Sequence, residues 1–161
     1  MESRASIAKH PIHPMLVPFP IALWIFSLMS DLIYALGWGG PLWHDIAFYT
    51  MAGGLVGGLA AGVPGLIDYL SMTEPAPKKI ARNHMILNLG IVAIYIVNLW
   101  LRMTMNPDAA LPVILSVCAV LLLGLAGWLG GELVYVHGVG VESQAGTHKS
   151  GGSRPLSKIG M

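Results

Sequence analysis

Four of the six histidines flank the long apolar segments of the chain, at positions from which several imidazoles could share one ligand. His10 and His13 precede the first segment, His84 opens the third, and His137 follows the fourth. Neutral imidazole is the commonest metal ligand among side chains, and histidines on facing helices of a bundle also hold b-type haem. The chemistry that these residues indicate is therefore a haem or a metal centre.

Two carboxylates accompany the histidines. Asp68 closes the second apolar segment, and Glu132 lies shortly before His137. Carboxylates commonly orient a ligating histidine by accepting the hydrogen bond of its second ring nitrogen, so we expect Asp68 and Glu132 to orient ligands or to relay protons. The alternative is that each histidine is a solvated or capping residue at a membrane surface. That alternative is strongest for His10, whose neighbour Pro11 favours a rigid entry turn.

The elements that must position these residues are membrane-spanning helices. The chain has 161 residues, of which 55% are hydrophobic and 11% charged, against about 25% charged in soluble domains. A bilayer core of about 30 Å requires about 20 helical residues, and backbone in hydrocarbon must satisfy its own hydrogen bonds. Because the loops are short, we predict an all-α integral membrane protein, an antiparallel four-helix transmembrane bundle. Its expected spans cover approximately residues 14–36, 45–69, 82–102 and 110–137.

The basic residues predict the orientation. Eight of the nine lie on one side of the predicted bundle, and only Arg102 lies on the other. Because lysine and arginine favour the cytoplasmic side, we expect a multi-pass protein of the bacterial inner membrane with both termini in the cytoplasm. Residues 1–13 then form a cytoplasmic N-terminal segment, 14–141 the transmembrane domain, and 142–161 a disordered cytoplasmic tail rich in glycine, serine and charge.

Several classes of function have no support in the sequence. There is no Cys-x-x-Cys pair, nucleophile elbow, phosphate loop or dinucleotide fingerprint, and the net charge of +1 gives no argument for nucleic acid. We therefore expect a chain that is not an enzyme by itself. No internal repeat is evident. Glycines at small-xxx-small spacing in the second and fourth segments indicate close helix packing, with room for a flat cofactor as the alternative.

Three separated motifs resemble a known family. They are HPIHPMLVPFP at 10–20, VPGLID at 63–68 and GWLGGELVYVHGVGV at 127–141. Together they are similar to the bacterial membrane proteins catalogued as domain of unknown function 2231, over residues 8–142. In some relatives the four-helix unit is followed by a Rieske-type iron–sulfur domain. The resemblance therefore implies electron transfer, with a separate Rieske-type protein as a redox partner.

The function that we predict is that of a membrane redox or electron-transfer protein. Its haem b would be held on the cytoplasmic side by two or three of His13, His84 and His137, with His10 as a weaker candidate. One alternative is a non-haem iron, copper or zinc site for metal binding or transport, held by His13, His84 and His137. Another is a non-catalytic scaffold or accessory subunit, and either kind of protein could form a homo-oligomer in the lipid bilayer.

Overall fold

The computed structural model describes residues 3–141, so the tail predicted to be disordered at 142–161 lies outside the described residues. Within these residues two short strands and five helices follow one another. They are β1 Ser6–Ile7, β2 His10–Pro11, α1 Ile12–Leu16, α2 Pro18–Ala35, α3 Leu42–Ser71, α4 Pro75–Thr104 and α5 Ala110–Tyr135. β1 and β2 form a small antiparallel hairpin ahead of the bundle. The break between α1 and α2 falls at Val17, just before Pro18, whose ring nitrogen carries no hydrogen to donate.

Four stretches of helix in the described part of the chain are long and apolar enough to cross a membrane, and α1 and α2 together make the first of them. The strongest packing is between α2 and α3 and between α4 and α5, and weaker contacts of α3 with α4 and of α2 with α5 close the ring. Consequently α2 and α4 lie diagonally across the bundle. The predicted all-α membrane bundle is confirmed. We call the end at which α2 and α4 begin the histidine end, and the opposite end the ion-pair end.

The outer surface of the bundle is apolar, as a lipid-facing surface must be. Large hydrophobic side chains such as Leu59, Leu121 and Trp128 are more than half exposed. In water a continuous patch of this size would mark an interaction surface, whereas around a whole bundle it matches contact with acyl chains. The buried interior instead contains the aromatic and polar groups that position the site.

Side chains of equivalent position meet across the bundle. Trp24 and Tyr95 stack with ring centroids 4.5 Å apart and planes inclined by 14°. Three such pairs form, and each joins residues 71 positions apart in the sequence: His13 with His84, Trp24 with Tyr95, and Asp31 with Arg102.

The helices α3 and α5, which run back to the histidine end, also have equivalent positions, but these lie a different number of residues apart in the sequence. Ser27 donates to the carbonyl of Ala47 at 2.7 Å, and Asn98, its equivalent on α4, donates to the carbonyl of Pro112 at 2.9 Å. The two acceptors lie 65 positions apart, at 47 and 112. The bundle is therefore built from two similar helical hairpins, the first made of α1, α2 and α3 and the second of α4 and α5. They pack about an approximate twofold axis that runs along the bundle, as in transporters made of parallel repeats.

The expectation that the chain contains no internal repeat is wrong. At three of the matched positions the hairpins keep the contact but not the residue type, because tryptophan is matched by tyrosine, serine by asparagine and aspartate by arginine. These mismatches make the repeat hard to see in the sequence. The packing shows it because paired positions contact each other.

Candidate haem or metal site

His13 is held at the histidine end by a backbone carbonyl of the neighbouring helix. Its Nδ1 lies 2.8 Å from the carbonyl oxygen of Ala61 on α3, and because a carbonyl can only accept, Nδ1 carries the proton. The ring rests on Gly65, where an added Cβ would lie only 2.8 Å from Nδ1 of His13. Glycine at this position is what allows the imidazole to approach the helix.

His84 has the same environment in the second hairpin. Its Nδ1 donates to the carbonyl oxygen of Ala126 on α5 at 2.9 Å, and an added Cβ on Gly130 would lie 3.2 Å from its Cε1. In both hairpins the alanine whose carbonyl accepts from the ring precedes the glycine under the ring by four residues. We call this segment, which has the sequence Ala-Gly-x-x-Gly at 61–65 and at 126–130, the glycine seat of the histidine. This short motif is the sequence signal that could have revealed the repeat.

Protonation of Nδ1 leaves Nε2 as the nitrogen with a free lone pair in each neutral ring. Histidines that bind metals nearly always donate their other ring N–H to a carbonyl, carboxylate or water, which is the arrangement of both imidazoles here. Among the described residues Nε2 of His13 has no hydrogen-bond partner, whereas Nε2 of His84 lies 3.2 Å from Nδ2 of Asn88. Nε2 of His13 is thus available as a ligand atom, whereas Nε2 of His84 would have to give up its bond to Asn88 to act as one.

The separation of the two rings fits a shared ligand. Their centroids lie 6.3 Å apart and their planes are inclined by 88°. Two imidazoles on one ion, each bound through a nitrogen about 2.0–2.1 Å away, have centroids at most about 6.5 Å apart. Both rings are half-buried. The separation of the two rings is therefore within the limit for two imidazoles that bind one ion.

The other two candidate histidines lie apart from this pair in their contacts. His10 is exposed, and its Nδ1 contacts the carbonyl oxygen of Ala8 at 2.8 Å within the N-terminal hairpin. His137 follows the end of α5, where its backbone N–H bonds to the carbonyl of Glu132. Within residues 3–141 the imidazole of His137 has no hydrogen bond or ring contact.

Asp68 holds the N-terminal segment. Its carboxylate accepts hydrogen bonds from the Ser3 hydroxyl at 2.8 and 2.9 Å and from the backbone N–H of Ala5 at 3.0 Å. The carbonyl of Ala5 in turn accepts from the N–H of Ile12 at the start of α1. The described hydrogen bonds of Asp68 thus join α3 to the segment that leads into His13, and none of them reaches a histidine ring.

No group of three or more His, Cys, Asp or Glu side chains with metal-ligand spacing occurs within the described part of the chain. Among the described residues the candidate ligands that contact each other at the histidine end are His13 and His84. Structural zinc sites use four protein ligands and catalytic zinc sites three, whereas haem iron takes four of its ligands from the porphyrin and at most two from the protein.

The sequence reasoning missed the ion-pair end. Arg102 donates to both carboxylate oxygens of Asp31, at 2.7 and 2.5 Å, and both side chains are buried. Nε of Arg102 also donates to Oδ1 of Asn98, and Nδ2 of Asn98 donates to the hydroxyl of Ser116. Asp31 inside an apolar run indicates a buried partner, but the sequence alone does not say that Arg102 is that partner.

Comparison with known proteins agrees with the architecture. A family model described as "Predicted membrane protein (DUF2231)" matches residues 9–143. The chain belongs to this family. The two imidazoles, their carbonyl anchors and their glycine seats all lie inside the matched region of this DUF2231 protein. Neither a curated protein nor a solved structure matches the chain.

Proposed function

We propose that the chain is a membrane redox protein that holds haem b between His13 and His84. The observation that carries the proposal is the pair of imidazoles with ring centroids 6.3 Å apart, each with Nδ1 anchored to a carbonyl, so that Nε2 is the ligating atom in both rings; Nε2 of His13 has no described partner and Nε2 of His84 accepts from Asn88. The chain's own part is to fix the tautomer and orientation of both ligands, which rigid helices do more precisely than loops. The haem would supply a one-electron couple when bound.

The number of ligands favours haem over a bare ion. Two imidazoles complete the coordination of a porphyrin-bound iron, but they leave an isolated iron, copper or zinc ion short of the three or four protein ligands that zinc sites use. The approximate twofold axis supports the same choice, because it brings one equivalent ligand from each hairpin. A bare metal ion and a scaffold without cofactor are the competing outcomes of the experiment below.

We further propose that the histidine end faces the cytoplasm of a bacterial cell, with both termini on that side. Arg4 and Lys9 precede the first span, and Lys78, Lys79 and Arg82 lie at the start of α4, so basic residues cluster at this end. A redox partner, such as a separate Rieske-type protein, would then dock there. The side is tested in a Cys118→Ser background by labelling Ser6→Cys and Asn106→Cys with a membrane-impermeant maleimide. Labelling of intact spheroplasts at position 106 alone supports the proposal, and labelling at position 6 alone contradicts it.

The cofactor is tested by the absorption spectrum and metal content of the purified protein. We expect a Soret band with a six-coordinate low-spin spectrum that both His13→Ala and His84→Ala remove, together with a severalfold loss of haem. His10→Ala and His137→Ala are matched controls and should keep the spectrum. Stoichiometric metal without a Soret band would favour a bare metal ion. The absence of both the Soret band and the metal would favour a scaffold without a cofactor.

A further inference from the structure

The two imidazoles of the site are equivalent in position but differ in how their Nε2 atoms are covered. Asn88 lies four residues after His84, and its Nδ2 bonds both to the backbone carbonyl of His84 at 2.8 Å and to Nε2 of the ring at 3.2 Å. The residue four after His13 is Val17, 71 positions before Asn88. Valine has no group that could bond to the ring. Of the two side chains that lie four residues after the histidines, only that of Asn88 can therefore bond to a ring nitrogen.

We propose that Asn88 covers the ligating nitrogen of His84 and thereby makes His84, rather than His13, the exchangeable ligand of the pair. This inference rests on the proposed function. When His84 binds a metal through Nε2, the lone pair that accepted from Asn88 is used. When His84 releases the metal, the N–H of Asn88 bonds to Nε2 again and stabilises the released ring. His13 gains no such bond on release.

An exchangeable imidazole gives the centre a position for an external ligand. A small neutral molecule that binds ferrous iron, with carbon monoxide as the probe, would take the place of Nε2 of His84. In that exchange the bond from iron to Nε2 breaks, a bond from iron to carbon forms, and Asn88 donates to the freed nitrogen. No net oxidation or reduction is involved.

The size of the effect follows from the value of one hydrogen bond. A neutral hydrogen bond contributes about 0.5–1.5 kcal/mol net, which corresponds to a factor of about three to ten in an equilibrium constant. Asn88→Val gives position 88 the residue found at its equivalent position, 17. It should lower the affinity of the reduced, haemin-loaded protein for carbon monoxide by about three- to ten-fold. It should raise the affinity of the metal-free protein for haemin by a similar factor.

Two further variants complete the design. Val17→Asn places the same amide four residues after His13 and should weaken haemin binding, because His13 would then also be stabilised in its released form. Asn83→Val removes an exposed asparagine next to His84 and should change neither affinity. His84→Ala should retain more haem than His13→Ala. Equal affinities for carbon monoxide in the original protein and in Asn88→Val would overturn the inference.

One measurement does not depend on the cofactor. In the metal-free protein, ¹⁵N NMR of labelled histidine rings should show both imidazoles protonated on Nδ1, with the Nε2 resonance of His84 shifted by Asn88→Val and that of His13 unchanged. A His84 ring protonated on Nε2, or a resonance that Asn88→Val does not move, contradicts the inference. Failure to take up haemin refutes the proposed function instead, so the two failures are distinguishable.

Discussion

The buried ion pair at the ion-pair end allows a direct test of the repeat. Asp31 and Arg102 occupy equivalent positions of the two hairpins and contact each other, so exchanging them should rebuild the same pair in reverse. We consider Asp31→Arg, Arg102→Asp and the double exchange. Each single change places two like charges together where both side chains are at most 9% exposed.

The expected loss differs between the single changes and the exchange. Leaving a buried charge without its partner lowers the free energy of unfolding by about 3–5 kcal/mol. The exchange restores the pair but loses the bond from Nε of Arg102 to Oδ1 of Asn98, because the residue equivalent to Asn98 is Ser27, which donates to Ala47. A hydrogen bond to a charged group contributes about 1.5–3 kcal/mol, so the exchange should retain a deficit of about that size.

The assay is unfolding in mixed micelles with an increasing fraction of denaturing detergent, followed by far-ultraviolet circular dichroism. The expected order of stability is the original chain, then the exchange, then the two single changes. Asp45→Arg alters an exposed carboxylate at the same end and, as a control, should shift the free energy of unfolding by no more than about 1 kcal/mol. If the exchange is as unstable as the single changes, positions 31 and 102 are not equivalent and the twofold arrangement is refuted.

Two further predictions concern the histidine end. Gly65→Ala and Gly130→Ala should displace the imidazoles and lower the haem content per protein, measured from the absorption spectrum. Gly62→Ala and Gly127→Ala are the controls and should keep the haem, because nothing lies within 4 Å of a Cβ added at either position. Equal losses in all four variants would contradict the role of Gly65 and Gly130 in placing the rings. Asp68→Ala removes three hydrogen bonds from the N-terminal segment and should speed amide hydrogen exchange in residues 3–12. Exchange in α5 should stay unchanged and serves as the internal control. Unchanged exchange at Ala5 would contradict the anchoring role of Asp68.

The bundle could be predicted from sequence because hydropathy over about 20 residues reports directly on the membrane. The convergence of His13 with His84 was also predictable, since the two residues stand near the starts of the first and third spans, which begin at the same end of an up-and-down bundle. The separate contacts of His137 were not, because α5 ends at Tyr135 and the chain then turns through Gly138 at a φ of +61°. The direction of a side chain beyond a helix end depends on such local backbone angles.

The contacts between the two hairpins, including the ion pair, could not be predicted for a different reason. They depend on which faces of α2 and α4 meet, and helices that are apolar all round carry no amphipathic signal to define a face. Asp31 was visible as a charge in an apolar run, but its partner is fixed by rotation of the helices about their axes. The two Ala-Gly-x-x-Gly segments were present in the sequence. Only their contacts with His13 and His84 show that each supplies the carbonyl acceptor and the glycine beside the ring.

Because each hairpin starts and finishes on one side of the bilayer, the two copies must enter the membrane with the same polarity. A chain built this way needs its insertion signal twice, and basic residues do stand ahead of both copies, at Arg4 and Lys9 and again at Lys78, Lys79 and Arg82. Removing one whole hairpin would leave the other correctly inserted. Removing a single helix would place the basic residues of the second hairpin on the side opposite to those of the first, against the side that lysine and arginine favour, so a gain or loss of two crossings at a time keeps both clusters on one side.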